Sequence, residues 1–126
     1  RPEAAFRHLA FRGTRIYLGP TDQECVMKPP AECHSMQELR VQIDLLDAQI
    51  VAGFAARAGY IDRAVVLKQS ERLPARIDER VEEVVERVKA KARDAGLDPA
   101  LMEDLWRRLI EWSIAREEKI LGQERR

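Results

Sequence analysis

The sequence predicts an all-α protein, a three-helix protomer with one long N-terminal helix, intertwined with a second copy as a homodimer. Three observations carry that expectation. From residue 36 to residue 121 apolar residues recur at three- and four-residue intervals. The breaks between these runs carry helix-end chemistry: Ser35 to Glu38, Pro74, Gly96 and Asp98-Pro99. The first run is also too long for a compact monomer of this size.

Composition narrows the class. The chain has 126 residues, 45% hydrophobic and 35% charged, the balance of a soluble, largely helical single domain. Lys and Arg total 22 and Asp and Glu total 22, a net charge of zero. Broad binding to nucleic acid or an anionic membrane needs a positive surplus that is absent here. No apolar run reaches the roughly 18 residues of a membrane span. Cys25 and Cys33 lack any CxxC or Cys/His company, so they read as reduced thiols of a cytoplasmic protein, with no metal site. His8 and His34 are isolated and read as surface residues.

Residues 1–26 differ from the remainder of the chain. They have no sustained period, break at Gly13 and at Gly19-Pro20, and contain "TRIYL", a strand-like stretch with no evident partner. They read as an extension or partly ordered arm, with Met27 a candidate start of the helical domain 27–126. "KPPAECHS" is extended or turning, because consecutive prolines disfavour helix. Ser35 and Glu38 then have capping-box spacing, each placed to satisfy the other's free backbone donor.

The first helix is expected over 36–68, its stripe formed by Leu39, Ile43, Leu46, Ile50, Phe54, Ile61 and Val65. At 1.5 Å per residue it is roughly 50 Å long, so part of it needs another surface to lie against. Residues 69–76, "QSERLPAR", read as a connecting loop and a candidate lid. The second helix is expected over 77–95, with Ile77, Val81, Val84, Val85, Val88 and Ala92 on its stripe, ending at a left-handed Gly96. Asp98 caps the third helix, Pro99 occupies its first position, and the apolar series continues to Leu121. Trp106 and Trp112 are expected to pack against the first helix.

Three cations lie on or beside the apolar side of the first helix: Arg40, Arg57 and Lys68. Arg57 and Lys68 are close to three turns apart and share a face, about 16 Å apart along the axis. A small dianion fits between their side chains. Arg40 lies roughly 25 Å from Arg57 along the axis and about 100° round it. The two cannot easily hold one small molecule unless an antiparallel partner helix brings a second copy's Arg40 close. A plainer reading competes at each position: Arg40 pairing with Asp44 one turn on, and Lys68 as a C-terminal cation favoured by the helix dipole.

The same residues resemble the all-helical class of chorismate mutases and its isochorismate pyruvate lyase branch. The resemblance covers about residues 27–121. It rests on "LRVQIDLLDAQIV", "AARAGYIDRAVVLK", "ERV" and "AGLDPALMEDLWRRLIEWSIA", in order and correctly spaced. It implies a dimer of interlocked protomers whose two active sites hold a small dianion, chorismate or isochorismate, without metal or cofactor. By this resemblance Arg40 crosses to the partner's site, Arg57 and Lys68 bind carboxylates, and Arg80 contributes from the second helix. Ser113 and Glu117, one turn apart, line the far side, with Ile77 and Val81 at further substrate-binding positions.

The implied reaction is the concerted rearrangement of chorismate to prephenate. It needs the two carboxylates held in a reactive pose and the charge growing on the ether oxygen stabilised. Arg as a bidentate fork and Lys as a point charge suit both tasks. The chain departs from the pattern at two positions. Where the family commonly has Gln facing the ether oxygen, this chain has Glu117, which must then be neutral to donate a hydrogen bond. The plain alternative is an exposed acid between Arg116 and Lys119. Where many mutases carry Glu after the helix-two arginine, this chain has Val81, as in the lyase-like branch. "MKPPAEC" points the same way, while Ser113 is the mutase-like choice. The reading is a mutase first, an isochorismate pyruvate lyase second, and a non-catalytic helical dimerisation module third. Whether the pathway is aromatic amino acid or salicylate biosynthesis stays open.

Overall fold

Three helices follow one another in the computed structural model, which describes residues 15–17 and 24–124: α1, Met36–Glu71; α2, Asp78–Asp94; and α3, Pro99–Glu124. The all-α class and the three helices are as expected. Ahead of them a short β1, Arg15–Tyr17, pairs antiparallel with β2, Glu24–Val26, setting Ile16 opposite Cys25. "TRIYL" therefore does have a partner, hidden in the sequence because "ECV" is too short to show a strand period. The expectations for His8, Gly13 and Gly19-Pro20 lie outside the described residues.

The chain divides into two compact units, Arg1–Arg57 and Ala58–Arg126. In the first, the segment before α1 folds back on the start of that helix. Met27 is buried, the Lys28 N–H donates to Gln42 Oε1 at 2.9 Å, and a 3-10 turn spans Pro30–Glu32. The capping box forms by half. The Glu38 N–H donates to Ser35 Oγ at 3.1 Å, but the Glu38 carboxylate accepts from the His34 N–H at 2.7 Å rather than from that of Ser35. That bond is the main cause holding the Glu38 carboxyl below its ordinary range. Along this half of α1 the apolar stripe is uncovered: Ile43, Leu46, Ile50 and Phe54 are all exposed.

In the second unit the end of α1 joins α2 and α3. Its core is Val65, Ala75, Val85, Ile110, Ile114 and Leu121, with Val81, Val84 and Trp106 packed against it. Val85 is fully buried. Trp106 thus packs against this core. Trp112 does not: it is 52% exposed, and the Arg116 guanidinium lies over its ring, 5.3 Å from the centroid.

The helix ends follow from local chemistry. Helix α1 runs one turn beyond the expected end, because Gln69, Ser70 and Glu71 are polar without being helix breakers. It stops where Arg72 turns left-handed (φ 58°), the Leu73 N–H reaching back to the Lys68 carbonyl at 2.8 Å. The connection is therefore residues 72–77. The α2 end is as expected, with Gly96 at φ 72° and the Leu97 N–H on the Ala92 carbonyl at 2.8 Å. Asp98 Oδ1 accepts from the Ala100 N–H at 2.9 Å and so starts α3.

Candidate active site

Three pieces of the second unit converge on one charged cluster: the last turn of α1, the 72–77 connection and the middle of α3. Lys68 leaves α1 from the helix face that also carries Val65, the buried α1 residue. Its ammonium lies 2.7 Å from Glu117 Oε1 and donates to the Ala75 carbonyl at 2.6 Å. Ala75 belongs to the core, so its carbonyl is a fixed acceptor rather than a loop atom in water.

Burial makes this pair unlike the others. The side chains of Lys68 and Glu117 are 17% and 4% exposed. The plain alternative for Glu117, an exposed acid on a charged helix end, is thereby set aside. So is the reading of Lys68 as only a helix-end cation. Lys68 and Glu117 thus form a close, largely buried ion pair through Glu117 Oε1. Ser113, one turn before Glu117, is also buried and donates its hydroxyl hydrogen to the Leu109 carbonyl at 2.9 Å.

The remaining expected residues are placed differently. Val81 is half-buried against the core, and Ile77 is the N-cap of α2. Arg80 is on the exposed side of α2 and pairs with Glu83, which lowers the Glu83 carboxyl through that hydrogen bond first. Arg40 and Arg57 belong to the first unit, Arg40 exposed and Arg57 half-buried. Among the described residues no ion pair reaches Arg40, so the alternative of an Arg40–Asp44 contact is not realised.

Supporting contacts that sequence reading missed surround the cluster. Arg116, next to Glu117, donates to both oxygens of Asp62 on α1, at 2.7 and 3.0 Å. Those bonds are the main cause lowering the Asp62 carboxyl. Arg76 of the connection donates to both oxygens of Glu111 on α3, one of these contacts at 3.0 Å. Residues 54 and 35 positions apart, respectively, give no spacing signal for such pairs. Chemically, the cluster offers an ammonium beside a buried carboxyl, a combination able to hold an anion and to exchange a proton.

Comparison with known proteins agrees with this architecture. The family model described as chorismate mutase type II matches residues 39–118, from the start of α1 through Glu117. A curated relative, the isochorismate pyruvate lyase of Pseudomonas aeruginosa, is 34% identical over 100 residues, covering 79% of this chain and 97% of the relative.

Proposed function

The chain belongs to the chorismate mutase type II family, and from that premise we propose that it is a chorismate mutase, converting chorismate to prephenate. The observation that carries this reading is the buried Lys68–Glu117 pair beside Ser113. The rearrangement breaks one C–O bond and forms one C–C bond within a single molecule, so no nucleophile is required. Lys68 is the cation for a substrate carboxylate and for the charge growing on the ether oxygen. A protonated Glu117 donates to that same oxygen. Arg57, Arg80 and a partner copy's Arg40 complete the clamp, while Ile77, Val81 and Ser113 shape the ring's surroundings. Holding both carboxylates places the enolpyruvyl arm over the ring.

The homodimer is part of this proposal. It is supported by the uncovered Ile43, Leu46, Ile50 and Phe54, and by Gln49, whose side-chain oxygen is buried without a hydrogen-bond partner among the described residues. A second copy of α1 would cover the former and supply a donor to the latter. Residues 27–126 form the catalytic domain, 1–26 its extension, and the cytoplasm is the proposed compartment. Among the described residues no helix is long and apolar enough to cross a membrane.

One reading competes within the same site. Val81 and the 34% identity to an isochorismate pyruvate lyase favour elimination of pyruvate from isochorismate, leaving salicylate. The purified chain, assayed in parallel with both substrates, separates the two. Prephenate from chorismate with no salicylate from isochorismate is the expected result. Salicylate and pyruvate forming faster than prephenate would reassign it to the lyase reaction. In the mutase reaction Glu117→Gln should flatten the fall in rate as pH rises, because the amide donates its hydrogen bond at every pH. A mutant that keeps the wild-type pH profile would show that Glu117 is not the donor.

A further inference from the structure

We propose that Arg76 is a positioning residue for the reaction: its latch onto Glu111 holds the Ala75 carbonyl in place, and through that carbonyl the Lys68 ammonium. The inference rests on the reading of Lys68 as a cation of the site and adds what keeps that cation where it is.

An ammonium on a flexible four-carbon stem does not position itself, yet charge stabilisation needs it placed to a fraction of an ångström. Here the ammonium faces Glu117 at 2.7 Å and donates to the Ala75 carbonyl at 2.6 Å. Glu117 is carried by a regular helix. Ala75 is not: it lies in the 72–77 connection, between α1 and α2. Among the described residues no backbone hydrogen bond joins Pro74, Ala75 or Arg76 to another residue's main chain.

Side chains hold this stretch instead, and they do so from opposite sides. The Ala75 methyl is buried in the core, while Arg76 reaches outward and donates to both carboxylate oxygens of Glu111 on α3. Anchoring two consecutive residues fixes both ends of the one planar peptide unit that carries the Ala75 carbonyl. A two-pronged guanidinium contact fixes direction as well as distance. Those hydrogen bonds are also the main cause holding the Glu111 carboxyl below its ordinary range. The side chains of Arg76 and Glu111 are 42% and 57% exposed, so their contact adds little to folding stability. What it decides is where the connection lies against α3, and with it the acceptor for Lys68.

Kinetics of Arg76→Gln, Glu111→Gln and the double variant test this, with whichever of chorismate and isochorismate the wild type converts. Each single change should lower kcat about tenfold, since a small displacement of the cation is enough for that. The loss should fall on kcat more than on KM, because the charge on the ether oxygen grows only in the transition state. The double variant should lose no more than either single one, because both remove the same contact. Losses that multiply toward about a hundredfold overturn the proposal. So does wild-type kcat in either single variant; kept by Glu111→Gln alone, it would mean that Arg76 meets the ligand itself.

Acetylation of the full chain, followed residue by residue by mass spectrometry, reads the cation's place without any substrate. Against the exposed Lys91 as internal standard, Lys68 should react about threefold faster or more in both single variants. An unchanged Lys68 rate overturns the proposal even where kcat falls. Conversion of neither substrate by the wild type would remove the proposed function, and the Lys68 rate alone would then judge the latch.

Discussion

At the residue scale, the molecule is organised around one ammonium. Lys68 is legible in the sequence by its spacing from Arg57, and Glu117 by its place in the family pattern. Neither route can show that they touch, or that a main-chain carbonyl completes the arrangement. Pattern and spacing register side chains along a helix, whereas the Ala75 carbonyl belongs to a connection whose path depends on the packed core. Removing Lys68 leaves Glu117 buried without a counter-charge. Lys68→Ala should therefore cost about 1–3 kcal/mol of stability at pH 8, because the buried carboxyl then lacks its partner. Denaturant titrations of the wild type and the variant would show that cost. The same substitution should lower kcat/KM by about 10²–10³, the size expected for losing one group that stabilises transition-state charge.

At the element scale, helix starts and glycine ends are readable and the first helix's end is not. Asp98, Ser35 and Gly96 are residue types whose chemistry states their role. Arg72 is not: it occupies the left-handed position that Gly96 occupies at the end of α2, without glycine's freedom from a Cβ clash. Polar composition at 69–71 suggests a loop, yet polarity and helix breaking are different properties, and the helix runs on. The unpaired look of "TRIYL" has a similar origin, since a three-residue partner carries no period. The two helix ends make opposite predictions. Arg72→Gly should raise stability by up to about 1 kcal/mol, and Gly96→Ala should lower it by about 1 kcal/mol. A Cβ at Gly96 would meet nothing within 4 Å, so that loss is conformational alone. Paired thermal melts of the two variants check both signs.

At the scale of the whole molecule, the length of the first helix suggests a second copy, and the uncovered stripe of α1 is the surface on which the proposed dimer rests. If Arg40 serves the partner's site, two inactive variants can repair each other. Arg40→Ala mixed with Lys68→Ala and reassembled should recover about a quarter of wild-type activity. Half the dimers formed at random are mixed, and each of these holds one intact site. No recovery would place Arg40 in its own chain's site. The surface adds a pH dependence of its own. Arg116 holds Asp62 below the ordinary carboxylate range, Arg107 does so for Glu82 and Glu103, and Arg76 for Glu111. A carboxyl lowered on folding stabilises above its unfolded value and loses that contribution as pH falls through its folded one. Stability should hold above the ordinary carboxylate range and decline below it. Because these pairs are exposed, that decline should be shallow and should flatten further in molar salt, as acid titrations at low and high salt would report.

The Ala75 carbonyl carries a consequence for genetics. Every amino acid supplies a carbonyl, so a library of substitutions at position 75 never deletes the acceptor that steadies Lys68. Variants there would be scored by how their side chains disturb the core, and the polar contact would stay silent in the scan. Only a change to the backbone itself exposes it. An ester in place of the amide between Ala75 and Arg76 would weaken that one oxygen and leave every codon's side chain as it was.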